Sequence, residues 1–224
     1  MKITFIYHSS FLIEFKECYM LFDYFKGSLP VIDSKKPLYV FSSHSHSDHF
    51  NTIIFEKFKN NHFILSNDIC KKIKSGNNNI TCVYANKDYI IDDIKIRTLK
   101  STDMGVAYLI KCEGKTIFHS GDLHFWVWQD ESKQYNSNME VNYKIEIDKL
   151  KNINIDIAFI PLDPRQGDWY YKGMKYFIDN VNTEYIFPMH CWEKYSIVDK
   201  FISEGYNKNN TKIFNLTEGM TYGI

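Results

Sequence analysis

An apolar run over residues 38–42 stops abruptly at Ser43-His44-Ser45-His46-Ser47-Asp48-His49, which sets four candidate metal ligands within six residues. This segment constrains the chain more than any other. In an extended stretch, side-chain direction alternates, so His44 and His46 point to one side. Asp48 and His49 follow as the chain turns into a helix expected over 50–58, and so aim at a neighbouring point. The spacing therefore predicts two adjacent metal positions at the end of a strand. Imidazole and carboxylate donors suit Zn²⁺, with Mn²⁺ or Fe as other candidates. The bland alternative is a polar surface loop. With only eight histidines in 224 residues, three of them in this one loop, the metal reading is preferred.

The rest of the chain reads as layers. Short β-rich runs are expected at 3–7, 11–15, 19–24, 38–42 and 63–65, a helix at 66–74 and a turn at 76–79. A second β-rich block covers 81–84, 89–91, 94–99, 106–112 and 115–119, with a tight Glu113-Gly114 hairpin turn. Residues 130–138 read as a polar surface loop and 139–150 as a helix. Then come a buried strand at 155–160, a helix at 169–181, a strand at 185–188 and a helix at 193–204. Residues 212–216 and 220–223 read as a closing strand or hairpin. This order predicts an α/β (α+β) fold: a two-sheet core with helices outside, two similar halves in a single domain over 1–224.

Composition narrows the function classes. Lys plus Arg number 27 and Asp plus Glu number 27, a net charge of zero. That argues against a nucleic-acid binder, which needs a basic face. No apolar run reaches the roughly 18 residues of a membrane helix, and the N-terminal stretch lacks a secretion-signal core. The five cysteines are odd in number and have no CxxC spacing, so they read as reduced thiols of a cytoplasmic protein. A small-molecule substrate is the expected partner, and a homo-oligomer is allowed.

Two more signals lie at strand ends. The run 117–122 ends in Gly121-Asp122, and 186–190 ends in His190. Each alone could serve a turn or the core. With the first motif, the set His44-x-His46-x-Asp48-His49, Gly-Asp and late His resembles the metallo-β-lactamase fold superfamily of metal-dependent hydrolases. The opening 3–23, with His8, is similar to the branch that includes ascorbate-6-phosphate lactonase-like proteins. The resemblance implies a four-layered αβ/βα sandwich of two mixed sheets, a site at the edge between them, and a metal-activated water. It also implies that His44 and His46 belong to one position, that Asp48, His49 and His190 belong to the second, and that Asp122 bridges both.

One departure stands out. The family pattern supplies a third histidine to the first position, from a loop that here reads Leu99-Lys100-Ser101-Thr102-Asp103-Met104-Gly105 and contains none. Asp103 or water is left to complete that position, and the second position is expected to hold its metal more tightly. The Ser-Thr-Asp-x-Gly-Val and Gly-Asp-Leu-x-x-Trp runs look like an uncharacterised subgroup of the superfamily.

The expected chemistry is hydrolysis of a small ester, lactone, amide or phosphodiester, with Asp48 orienting water or taking its proton. His8, Ser43 and Ser47 are candidates to fix the imidazoles from behind, and His8 also to ligate. Arg165, His124 and Trp126 are candidate pocket residues. Arg165 would meet an anionic group unless it pairs with Asp163 or Asp168, and the tryptophans are expected mainly to pack in the core. An iron-dependent redox enzyme and a non-catalytic metal-binding protein are the alternatives.

Overall fold

Residues 1–73, 79–207 and 211–224 are described by a computed structural model. Its central strands are apolar almost without interruption, as strands buried on both faces must be, whereas the strand over Ile94–Lys100 alternates apolar and polar residues. They form two seven-stranded mixed sheets. The first runs, edge to edge, β14 (Thr221–Gly223), β1 (Lys2–Tyr7), β2 (Ser10–Glu14), β3 (Tyr19–Phe22), β4 (Leu38–Ser42), β5 (His62–Ser66) and β6 (Ile80–Val83). The second runs β13 (Lys212–Ile213), β12 (Thr183–Met189), β11 (Ile155–Pro161), β10 (Lys115–His119), β9 (Val106–Cys112), β8 (Ile94–Lys100) and β7 (Asp88–Ile91). Both sheets follow one plan. An antiparallel meander, β14 to β3 or β7 to β10, passes into parallel strands, β3 to β6 or β10 to β13. The two similar halves read from the sequence are these two sheets.

Period-two alternation sorts the side chains into layers. On β3 and β4, Met20, Phe22, Tyr39 and Phe41 face the second sheet. Their neighbours Tyr19, Leu21, Leu38 and Val40 face outward, where Ile54 of α1 (Ile53–Lys57) and Ile69 of α2 (Asn67–Cys70) cover them. Outside the second sheet lie α3 (Lys133–Asp148), α4 (Lys172–Asn180) and α5 (Ser196–Ser203), which bury Tyr143, Phe177 and Phe201. Fully burying one such phenylalanine stabilises the fold by about 1.5–3 kcal/mol. The layers are thus helix, sheet, sheet, helix.

Several local expectations need correction. The stretch 130–138 is not all loop: α3 starts at Lys133, because Ser132 caps it by accepting the Tyr135 amide at 3.1 Å. Residues 212–213 and 221–223 do not form a hairpin. They pair with β12 and β1, one in each sheet. The helix expected over 50–58 is shorter, the one at 66–74 ends its regular part at Cys70, and residues 76–78 of the expected turn lie outside the described residues. The Glu113-Gly114 turn is as expected, both residues taking the positive φ of a type I′ hairpin. Among the described residues no helix is long and apolar enough to cross a membrane.

The cysteine reading also changes. Cys70, at the end of α2, and Cys82, on β6, are joined by a disulfide, while Cys18, Cys112 and Cys191 are free. Residues 12 positions apart carry no sequence signal of pairing. Only the packing of α2 beside the edge strand brings them together.

Candidate metal centre

Strand ends build the site. β4 ends at Ser42 and releases the His44–His49 loop, β10 ends at His119 and delivers Asp122, and β12 ends at Met189 and delivers His190. The β1–β2 turn brings His8, and the end of β3 brings Asp23. All five points lie at one edge between the sheets. A turn in which the His49 and Phe50 amides bond the His46 carbonyl folds His49 back toward His44. Two glycines let the neighbouring loops close on this segment. A Cβ on Gly105 would lie 2.0 Å from the Ser43 carbonyl oxygen, and one on Gly121 would lie 2.6 Å from Ser43 Cβ.

The converging atoms form two groups. His44, His46, Asp103 and Asp122 make one, and His8, Asp48, His49 and His190 make the other. Asp122 faces both, with Oδ2 3.4 Å from His44 Nε2, and Oδ1 3.2 Å from His49 Nε2 and 2.9 Å from His190 Nε2. Asp103 Oδ2 is 3.5 Å from His46 Nδ1, and Asp48 Oδ2 is 3.4 Å from His8 Nε2. Ligands held about 2.0–2.1 Å from a tetrahedral cation stand about 3.4 Å from one another, so these gaps suit a shared ion. The loop that lacks the third histidine thus places Asp103 beside His46. Thr102 fastens this loop, since its Oγ1 donates to the His124 carbonyl at 2.6 Å and accepts the His124 amide at 2.9 Å.

The imidazoles are held from behind. His49 Nδ1 meets Asp23 Oδ2 at 2.7 Å, His44 Nδ1 meets Ser43 Oγ at 2.9 Å, and that hydroxyl donates to Asp23 Oδ2 at 2.7 Å. His190 Nδ1 faces Asp163 Oδ2 at 3.6 Å. Each ring therefore turns Nε2 inward, the arrangement by which carboxylates orient ligating histidines. Asp23 and Asp163 were not read from the sequence as supports of the site. Asp23 was hidden in a β-rich run, and the available signal was a carboxylate at the strand end of an otherwise apolar segment. Of the expected supports, Ser43 touches His44, whereas Ser47 is exposed at the turn.

Electrostatics match a cation. Burial pushes His8 and His44 down to about 4, so both rings are neutral donors near neutral pH. Burial also works against charge on His49 and His190, yet Asp122 outweighs it, aided by Asp23 at His49 and Asp163 at His190, and both rise above the ordinary histidine value. Asp122 is held well below the usual carboxylate range, because His49 and His190 outweigh its burial. Without an ion, the buried carboxylates thus draw protons onto two histidines. A divalent cation would supply that positive charge instead. Asp122 Oδ1 and His8 Nε2 are buried and make no well-formed hydrogen bond among the described residues, only close approaches to His190, His49 and Asp48, which also fits donors aimed at an ion. The residues present therefore fit a two-metal group.

The centre floors a cleft of about 320 Å³ walled by Trp126, Trp128, Tyr135, Met139, Arg165 and Trp192. Trp126 thus lines the cleft while packing in the core, and Trp128 and Trp192 are wall residues as well as packing residues, which corrects the core reading for those two. His124 is corrected too. It is fully buried, bonded to Gln166 Oε1 at 2.8 Å, and does not line the cleft. Arg165 reaches the cleft but turns its Nε and Nη2 to Asp163 at 3.0 and 2.6 Å.

Structures of like fold include Igni18, a metallo hydrolase from the archaeon Ignicoccus hospitalis, at 16% identity and TM-score 0.66, covering 100% of this chain and 98% of that one. An isothiocyanate hydrolase from Delia radicum gut bacteria matches at 14% identity and TM-score 0.64, covering 100% and 99%. CmlA, a diiron β-hydroxylase from Streptomyces venezuelae, matches at 10% identity and TM-score 0.63, covering 100% of this chain and 54% of that one. At such identities the likeness speaks to the fold. A sequence model of the beta-lactamase superfamily domain matches residues 2–190, most of the chain, and the protein therefore belongs to that superfamily, in its metallo-β-lactamase fold.

Proposed function

We propose that this protein is a metal-dependent hydrolase of a small ester, lactone, amide or phosphodiester. The observation that carries the reading is the split carboxylate of Asp122, one oxygen toward His44 and the other toward His49 and His190, on the floor of an open cleft. His44, His46, Asp103 and Asp122 would hold one ion, and His8, Asp48, His49 and His190 with Asp122 the other. Zn²⁺ suits this donor set, and Mn²⁺ and Fe are compatible with it. A divalent cation bound there lowers the pKa of a bound water from about 15.7 toward about 7 and polarises the oxygen of the bond to be cleaved.

The protein's own groups do the rest. Asp48 opens onto the cleft and stays ionised, because His8, His49 and His190 outweigh the effect of its burial. It is placed to take the proton of the attacking water and to pass it to the leaving group. Asp23 and Asp163 keep His49 and His190 turned inward, and Trp126 and Trp192 wall the cleft beside the candidate ligands. A cleft of about 320 Å³ suits a small molecule.

The carboxylate share of the first group favours a second reading, an iron-dependent oxidation at the same residues. Elemental analysis of protein purified without added metal, followed by assays on lactones, thioesters and phosphodiesters, separates the two. Zinc or manganese with hydrolysis supports the first reading, and iron with oxygen uptake supports the second. Less than about 0.1 metal per chain, with no gain on reconstitution, contradicts both.

A further inference from the structure

The cleft wall bears on the substrate. Trp126 donates its indole N–H to the Asp122 carbonyl at 2.9 Å, which fixes the ring beside the bridging carboxylate and 5.6 Å from the His190 ring. Trp128 lies parallel to it, 6.0 Å away at 7°. Across the cleft, Trp192 is 40% exposed and donates to Asp163 Oδ2 at 3.1 Å. Three indoles thus surround the ligands, each with a reason to stay in place.

Arg165 is the only Lys or Arg among the described residues that line the cleft. Its guanidinium lies 4.2 Å from the Trp192 ring and 5.9 Å from the Trp128 ring, and its fork is occupied by the fully buried Asp163. The arginine charge is therefore neutralised, and its planar face is used to brace two rings. The other charged lining groups, Asp48, Asp103 and Asp122, are acidic. Beyond the candidate ligands, the lining is mainly aromatic, with Trp126, Trp128, Tyr135 and Trp192, and its single guanidinium is already paired.

We propose that the cleft binds a substrate whose non-reacting part is a flat, uncharged aromatic group stacked on these indoles, with Arg165 acting as a positioning residue for the rings rather than as an anion receptor. The inference rests on the hydrolase reading only for which bond is cleaved, and it favours neutral carboxyl derivatives over phosphodiesters.

The test is saturation-transfer NMR and titration of the metal-loaded protein with three probes that it cannot hydrolyse: 2-naphthalenemethanol, cyclohexylmethanol and 2-naphthalenesulfonate. The expected result is naphthalenemethanol binding about tenfold tighter than cyclohexylmethanol, with no gain for the sulfonate. Trp192→Ala and Trp128→Ala should each weaken the naphthyl probe about tenfold at unchanged metal content, and Trp192→Phe should restore most of it. Arg165→Gln should weaken the neutral aryl probe. Equal binding of the aryl and cyclohexyl probes would overturn the proposal. So would a sulfonate preference that Arg165→Gln abolishes. Aryl-probe binding without hydrolysis of any aryl ester overturns the hydrolase reading and leaves this one standing. Hydrolysis of aryl and alkyl esters with equal KM does the reverse.

Discussion

The two ligand groups share Asp122 and differ in nearly everything else. Around His49 and His190 the histidines are enclosed: the side chains of His8, His49 and His190 are 3%, 0% and 2% exposed. Asp23 and Asp163 stand behind two of them. Around His46 the centre is open. His46 and Asp103 are 44% and 45% exposed at their side chains, and His46 has no buried carboxylate behind it among its described contacts. Both groups draw on the His44–His49 loop, but only the open one adds His46 and Asp103, the two half-exposed members. The difference suggests a division of labour, in which the enclosed position retains its ion and the open one meets substrate and exchanges its ion readily.

Four variants probe that contrast, in falling order of effect. Asp122→Ala removes the shared carboxylate, and metal content should fall from about two per chain to below about 0.2 by elemental analysis. Asp23→Asn touches neither ion in this reading, yet it frees His49 and the Ser43 hydroxyl that steadies His44. Chelator competition should show a 10- to 100-fold loss at the enclosed position and a smaller one at the open position. Equal loss at both would break the comparison. Asp103→Ala should weaken only the open position, by about tenfold, and an unchanged two-metal stoichiometry with unchanged affinities would remove Asp103 as a ligand.

The smallest effect on metal affinity concerns α2. Asp68 of that helix accepts the Ser45 amide at 2.8 Å, and Lys72 donates to Ser45 Oγ at 2.6 Å, so the helix steadies the loop between His44 and His46. The Cys70–Cys82 bond ties the helix to β6. Cys82→Ser should lower stability by about 3 kcal/mol in a denaturant titration and weaken the open position a few-fold. An equal weakening of the enclosed position would show that α2 does not act through Ser45.

The candidate ligands are legible in the sequence because they come in strand-end motifs. The His44-to-His49 run, Gly121-Asp122 and His190 each follow an apolar strand, and alternation plus chain order were enough to predict layers. What stayed hidden depends on long-range contacts. Asp23 serves His49 across 26 positions and Asp163 faces His190 across the sheet, and neither spacing leaves a local trace. The Cys70–Cys82 pair was missed for the same reason. Asp130–Asn138 read as a loop because its polar residues lack an apolar stripe, and only the Ser132 cap marks where α3 begins. Arg165 and Trp126 line the cleft as the sequence allows, with Arg165 paired to Asp163, whereas nothing local in the sequence tells that Trp128 and Trp192 also form its wall.

On the proposed reading, the Asp122 carboxylate would join an enclosed position and an open one. Stepwise chelator titration of the zinc-loaded native protein, followed by metal content and by hydrolysis of an aryl ester, tests it most directly. The account predicts two ions leaving in separate steps, with activity lost at the first step, when the open position empties. A single concerted loss of both ions, or a chain that never retains more than one, would contradict it.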